Sequence, residues 1–142
     1  MSKIYRLTAT EPLELHVYLE SFSGNWYYAH YSEFSISESS DNYRLYVYGF
    51  SGTASESLLW FHNGREFSTI DRDNDGYSVY NCARRYTGAW WYGWQSWHCF
   101  NSNLNGRYYP TEREDCNGIA WHDVPYAGRD CIPLRKVIMK VR

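Results

Sequence analysis

"FSTIDRDNDGYSVYNCARRYTGAWWY", residues 67–92, decides the fold. Its sharpest part is Asp71-Arg72-Asp73-Asn74-Asp75-Gly76. Alternating carboxylates converge oxygen ligands on one hard cation, and glycine permits the tight turn that follows. The string matches the opening of an EF-hand loop, which then requires a bidentate Glu at its twelfth position. Counted from Asp71, that position is Cys82. No strong amphipathic helix enters the loop, so the EF-hand fails while calcium remains chemically reasonable. Two carboxylates, backbone carbonyls and waters would fill the oxygen shell that calcium prefers. A solvated acidic turn would read the same way.

Upstream of this loop the chain reads as strands. Leu13, Leu15, Val17 and Leu19 alternate with Glu14, His16, Tyr18 and Glu20. That period of two marks a half-buried strand. Ser23-Gly24-Asn25 is a turn signal before a second strand over Trp26 to Ile36. Asp41-Asn42 turns the chain into a third strand, Tyr43 to Phe50, with Leu45 and Val47 on one face. A short helix is expected over Glu56 to His62, with Ser55 as N-cap and Asn63-Gly64 as the stop. Lys136 to Arg142 alternates again through Val137, Met139 and Val141 and should return to the sheet. Between Thr69 and Pro133, Gly, Asn, Asp and aromatics dominate and periodicity fades. So long an irregular stretch is uncommon in a compact domain unless it is functional.

A chain of 142 residues favours one domain. The net charge of −2 is evenly mixed with no basic stripe, which argues against nucleic acid. No apolar run reaches the roughly 20 residues that span a bilayer. Met1-Ser2-Lys3-Ile4 lacks the apolar core of a secretion signal and is expected to lead straight into strand. Tyr, Trp and Phe make up 20% of residues, and such rings suit partly wet recognition surfaces as well as half-exposed strands. Four cysteines, Cys82, Cys99, Cys116 and Cys131, form no CxxC motif and fit two disulfides in an oxidising compartment. Their spacing does not choose among the three pairings. His16, His30, His62, His98 and His122 are scattered, and no nucleophile–base or paired-carboxylate motif points to an enzyme.

Read together, "FSTIDRDNDGYSVYNCARRYTGAWWY", "CFNSNLNGRYY", "NGIAW" and "VIMKVR" resemble the fibrinogen-related (fibrinogen C-terminal-like) domain in its ficolin- and tachylectin-like form. The likeness extends upstream through "IYRLT", "YYAHYSEFSIS" and "LLWFHNGREFST" and covers nearly the whole chain. It implies an α+β fold: an antiparallel sheet with short helices, plus a loop-rich subdomain stabilised by disulfides and calcium. The expected division is 1–68 with 136–142 for the central sheet, and 69–135 for calcium and ligand. The small N-terminal subdomain usual in the family has no counterpart here. A sheet edge or apolar face would then need covering, so a homo-oligomer is expected.

The resemblance also implies a set of site residues. Calcium would be held by the side chains of Asp73 and Asp75 and by backbone carbonyls near Tyr77 and Val79. The disulfide Cys82–Cys99 is implied, which leaves Cys116 and Cys131 as the second pair. The family's recognition pocket lies beside the calcium loop, with a cis peptide just before the second cysteine, here His98–Cys99. Tyr86 stands at the place of one pocket tyrosine. Phe100 replaces the usual pocket histidine, and Asp115 replaces a second tyrosine. The stretch "WWYGWQSWHC" is longer than the family's usual spacing and brings in Trp94 and Trp97. The implied function is calcium-dependent, non-catalytic, secreted recognition of glycans or acetylated groups. A protein-interaction or adhesive module of the same class is the alternative.

Overall fold

The computed structural model describes residues 1–93, 98–125 and 131–142. Its elements are α1 (Ser2–Thr8), β1 (Leu13–Glu20), β2 (Trp26–Ile36), β3 (Leu45–Gly52), α2 (Cys82–Arg85), β4 (Ser102–Asn103), β5 (Ala120–Trp121) and β6 (Lys136–Val141). β1, β2 and β3 form the expected antiparallel meander, and β6 returns beside β1, giving the order β3-β2-β1-β6. Register is fixed by the period-two pattern. Leu15, Val17 and Leu19 all face inward and are buried, as are Leu45 and Val47 on β3. Slipping one residue would turn that whole row to solvent.

The inner face of the sheet packs on Leu58, Trp90, Trp91, Trp121 and Leu134 from the irregular remainder. These large rings are held by polar tips as well as by burial. Trp91 Nε1 donates to the Tyr43 carbonyl at 2.7 Å, and Trp121 Nε1 to the Ser55 carbonyl at 2.8 Å. Among the described residues from 69 to 133, regular structure is confined to one helical turn, α2, and the two-residue pair β4–β5. Two disulfides, Cys82–Cys99 and Cys116–Cys131, staple that region.

Three local expectations are corrected. Met1 to Ile4 does not run into strand: Ser2–Thr8 is helical. Ile4, Tyr5 and Thr8 share one face, and that spacing lets Ile4 and Tyr5 pack on the core while Thr8 is buried. The helix expected over Glu56 to His62 is a single π-helical turn, Leu58–His62, closed by Asn63 N donating to the Leu58 carbonyl at 2.8 Å. Its start is capped by Glu56, whose carboxylate accepts from Leu59 N (2.6 Å) and Trp60 N (3.0 Å). Ser55 instead donates its hydroxyl to the His122 carbonyl. Third, among the described residues the one cis peptide bond is Val124–Pro125. The His98–Cys99 bond is therefore trans, the form non-proline peptides favour by about 3 kcal/mol.

Candidate functional site

The acidic loop is built on asparagines as much as on aspartates. Asn74 closes its near end, with N bonded to Ser68 Oγ at 2.9 Å and Nδ2 to the Phe67 carbonyl at 2.8 Å. Asn81 closes the far end: its Nδ2 reaches the Thr69 carbonyl at 2.9 Å, while its Oδ1 caps α2 by accepting from Arg84 N at 2.9 Å. Gly76, at φ 75°, makes the reversal that other residues resist. Asp71 turns aside to accept from Thr69 Oγ1 at 2.5 Å.

Asp75 is the centre of this loop. It is 3% exposed, and its two carboxylate oxygens accept from Tyr77 N (2.8 Å) and Cys82 N (2.7 Å). Asp73 is exposed and its Oδ1 lies 3.3 Å from Asp75 N. Burial raises the Asp75 carboxyl above the usual carboxylate range; the two backbone bonds oppose that, and the Asp73 charge adds to it. Two carboxylates at close quarters, one of them buried, are a donor set of hard oxygens that suits calcium. Asp71 belongs to the string by sequence but points its carboxylate into its own turn. Val79 is 72% exposed, and since its side chain has no donor atom only its backbone carbonyl could serve such a site.

One helical turn connects the loop to the expected pocket. Cys82 opens α2 and is bonded to Cys99, with Cα atoms 6.0 Å apart. Tyr86 ends the turn, its N donating to the Cys82 carbonyl at 2.9 Å. Across the disulfide, Phe100 follows Cys99 and meets Tyr86 edge to face at 5.0 Å. Phe100 is 8% exposed and lies 6.1 Å from the Tyr92 ring. Tyr86 remains half-buried, with the Arg85 guanidinium 5.5 Å from its ring. Burial, and then a hydrogen bond with Tyr86, raise the Tyr80 hydroxyl above its ordinary pKa. His98, which precedes Cys99 in the chain, is exposed. The structure thus joins Asp73, Asp75, Cys82, Tyr86, Cys99 and Phe100 into one braced unit, of which Asp73 and Tyr86 reach solvent.

Asp115 lies in a neighbouring loop, joined to the residue after Tyr86 by Thr87 Oγ1 donating to the Asn117 carbonyl at 3.3 Å. Its carboxylate accepts from Tyr109 Oη (2.7 Å), Asn117 N (2.9 Å) and Asn117 Nδ2 (2.9 Å), which holds the 109–117 loop closed. Those bonds keep its carboxyl below the usual range. Trp94 and Trp97 lie outside the described residues.

Sequence reasoning missed His62, which is fully buried and joins three segments of the site. Its Nδ1–H donates to the Trp91 carbonyl at 2.8 Å, and its Nε2 accepts from Asn101 N (3.1 Å) and Ser102 N (3.0 Å). Burial pushes its pKa down to about 4, so the ring is neutral. A lone histidine at the end of the apolar run Leu58-Leu59-Trp60-Phe61 offers no spacing signal for this role.

The whole chain, residues 1–142, matches the sequence profile of the fibrinogen beta and gamma chains, C-terminal globular domain. Fibrinogen-like protein A of Apostichopus parvimensis is 41% identical over 142 residues, which is 98% of this chain and 47% of that protein. Angiopoietin-related protein 6 of Homo sapiens is 40% identical over 100% of this chain and 29% of its own length. The chain therefore spans less than half the length of these curated relatives. The solved fibrinogen-like globe domain of human ANGPTL2 superposes with a TM-score of 0.88 at 35% identity, over 99% of this chain and 62% of that one. Lamprey fibrin D-dimer, solved complexed with the peptide ligand Gly-His-Arg-Pro-amide, gives a TM-score of 0.86 at 28% identity, over 99% of this chain and 48% of that one. Profile, sequence and fold agree from end to end: the chain belongs to the family of the fibrinogen C-terminal globular domain.

Proposed function

We propose that this domain is a secreted, calcium-dependent, lectin-like module that recognises glycans or acetylated polar groups beside Tyr86, His98 and Phe100. The chain is not an enzyme. The observation that carries the proposal is the bond from Cys82 N to Asp75. Through it the acidic loop, the disulfide and the aromatic wall become one mechanical unit, so a cation in the loop acts on the wall. Asp73 and Asp75 would hold calcium, with the backbone carbonyls of Tyr77 and Val79 completing the oxygen set. Two disulfides support an oxidising, extracellular setting. Homo-oligomers would multiply contacts that are weak one at a time.

The electrostatics give the first test. A carboxyl whose folded pKa is raised stabilises the fold only below its unfolded pKa and loses that contribution as pH rises through the folded value. The buried Asp75 charge beside Asp73 therefore costs the fold as pH rises, and a bound cation offsets the cost. Chelation is expected to lower the melting temperature, since a ligand of the folded state stabilises by RT ln(1 + [L]/Kd). Asp73→Ala should erase that calcium-dependent shift. A midpoint that is the same in EDTA and in millimolar calcium would contradict the calcium assignment.

A peptide or protein ligand is the second reading, and two observations favour it. The lamprey relative was solved with a peptide ligand. Phe100, packed on Tyr86 and Tyr92, makes the wall apolar where a polar residue would suit a sugar. A glycan array probed with and without chelator separates the readings. Calcium-dependent glycan spots support the lectin; an empty array, with chelator-sensitive capture on a peptide display, supports the alternative.

A further inference from the structure

The outer face of the sheet carries a second cluster, remote in the fold from the acidic loop. β1 places Glu14 and His16 on that face, and β2 places His30 directly opposite His16. β3 continues the row with Ser51 opposite His30. Glu14 Oε2 lies 3.1 Å from His16 Nε2 and 3.5 Å from His30 Nε2. The three donor atoms all fall within 4.8 Å of one another. Donors at about 2.0–2.1 Å from a tetrahedral zinc stand roughly 3.3 Å apart, close to the two separations from Glu14 to the histidines.

Two details make this hydrogen-bonded trio suited to a metal ion. His30 Nδ1 lies 3.2 Å from Ser51 Oγ. Donation from Nδ1 to Ser51 would leave the Nε2 lone pair on the Glu14 side of the ring. That Nε2 is shut off from solvent and stands 3.5 Å from Glu14 Oε2. A proton on Nε2 would point at the carboxylate, and a divalent ion can take the place of that proton between the two. A histidine oriented through its other nitrogen by an outer hydroxyl is the arrangement that metal-binding histidines use. The neighbouring cation, Lys140, stands opposite His16 but extends its Nζ to the Tyr18 ring, 5.5 Å from its centroid. The Glu14 side chain is 51% exposed, which leaves a fourth position open to water.

We propose that Glu14, His16 and His30 form a site for one zinc-class divalent ion, with Ser51 positioning His30. Two imidazoles and one carboxylate favour zinc over calcium, so this site and the acidic loop do not compete. The site stands whether or not the acidic loop binds calcium.

The test uses the tag-free 142-residue protein in calcium-containing, chelator-free buffer, titrated with zinc chloride in a calorimeter. One zinc per chain is expected. His16→Ala, His30→Ala and the milder Glu14→Gln should each weaken binding by at least about tenfold, and Ser51→Ala by about tenfold. All four side chains lie on the outer face, and their zinc-free melting curves report whether each variant is folded. Cobalt(II) gives a second reading: intense visible bands of a four-coordinate ion in the parent protein, lost in Glu14→Gln. Zinc affinity unchanged by His30→Ala and Glu14→Gln overturns the proposal, as does a cobalt spectrum identical to that of the free aqueous ion.

Discussion

Replacing His62 with alanine is expected to destabilise the protein by about 3 kcal/mol or more, the largest single effect we foresee from a side chain outside the ligand surface. The ring bonds the Trp91 carbonyl and the N–H groups of Asn101 and Ser102. Each buried group left unpaired costs about 1–3 kcal/mol, and the lost ring adds a cavity. His62→Gln should cost less, because an amide supplies both a donor and an acceptor. The same residue predicts an acid effect. Its pKa falls from 6.5 to about 4 on folding. Between those values the unfolded chain binds the proton and the folded one does not, so stability falls as pH drops through that window. The full span is worth about 3 kcal/mol. Asp41, Asp71 and Asp115, whose pKa values are lowered, act in the same direction but only below the ordinary carboxylate range. Urea denaturation at about pH 7 and about pH 4.5 checks this. The parent protein should lose stability between the two, and His62→Ala should lose clearly less. Equal losses would place the acid sensitivity elsewhere.

Breaking the Cys82–Cys99 disulfide is the second large effect. The bond closes a sequence separation of 17 residues, worth about 3 kcal/mol in the chain-entropy picture. Both cysteines are buried. Cys116–Cys131 closes a comparable separation of 15, but between half-buried residues of the outer loops. The two bonds therefore differ less in stability than in consequence. Removing Cys82–Cys99 also cuts the connection from the acidic loop to Phe100, so ligand binding should fail along with stability. The paired replacement Cys82→Ala with Cys99→Ala, followed by urea denaturation and a binding assay, resolves the two parts. A destabilised variant that binds ligand as well as the parent protein would contradict the mechanical coupling.

The sheet was legible in the sequence because period-two patterning carries register directly. Leu15, Val17 and Leu19 announce β1, and Val137, Met139 and Val141 announce β6. The seven residues of α1 were not legible, since two turns of helix give too few positions for a periodic signal, and what fixes them is packing on the core. The turn at Leu58–His62 looked like an ordinary helix because its apolar residues allow one. The long-range Glu56 and Tyr31 contacts that shape it are invisible in a local reading: Tyr31 Oη donates to Glu56 Oε1 at 2.8 Å and accepts from Leu58 N at 3.2 Å. The acidic string marked Asp71, Asp73 and Asp75 by spacing, and the family resemblance singled out the last two. Tyr86 and Phe100 carry no such local mark, and only the family resemblance brings them to one place. Asp115 shows the converse: substitution at a pocket position made it a ligand candidate, while its three accepted hydrogen bonds give it work inside its own loop.

The central claim is that a calcium-organised surface at Tyr86 and Phe100 does the recognising. Its most direct measurement is the binding of the strongest ligand from the array to the parent protein and to Tyr86→Ala, each in millimolar calcium and in EDTA. The account predicts binding only by the parent protein and only in calcium. Tyr86→Ala should bind weakly or not at all while keeping its calcium-dependent melting shift, since its side chain touches Phe100 rather than Asp73 or Asp75. Equal binding by both proteins, in calcium and in EDTA alike, would contradict the account and place recognition on another face of the domain.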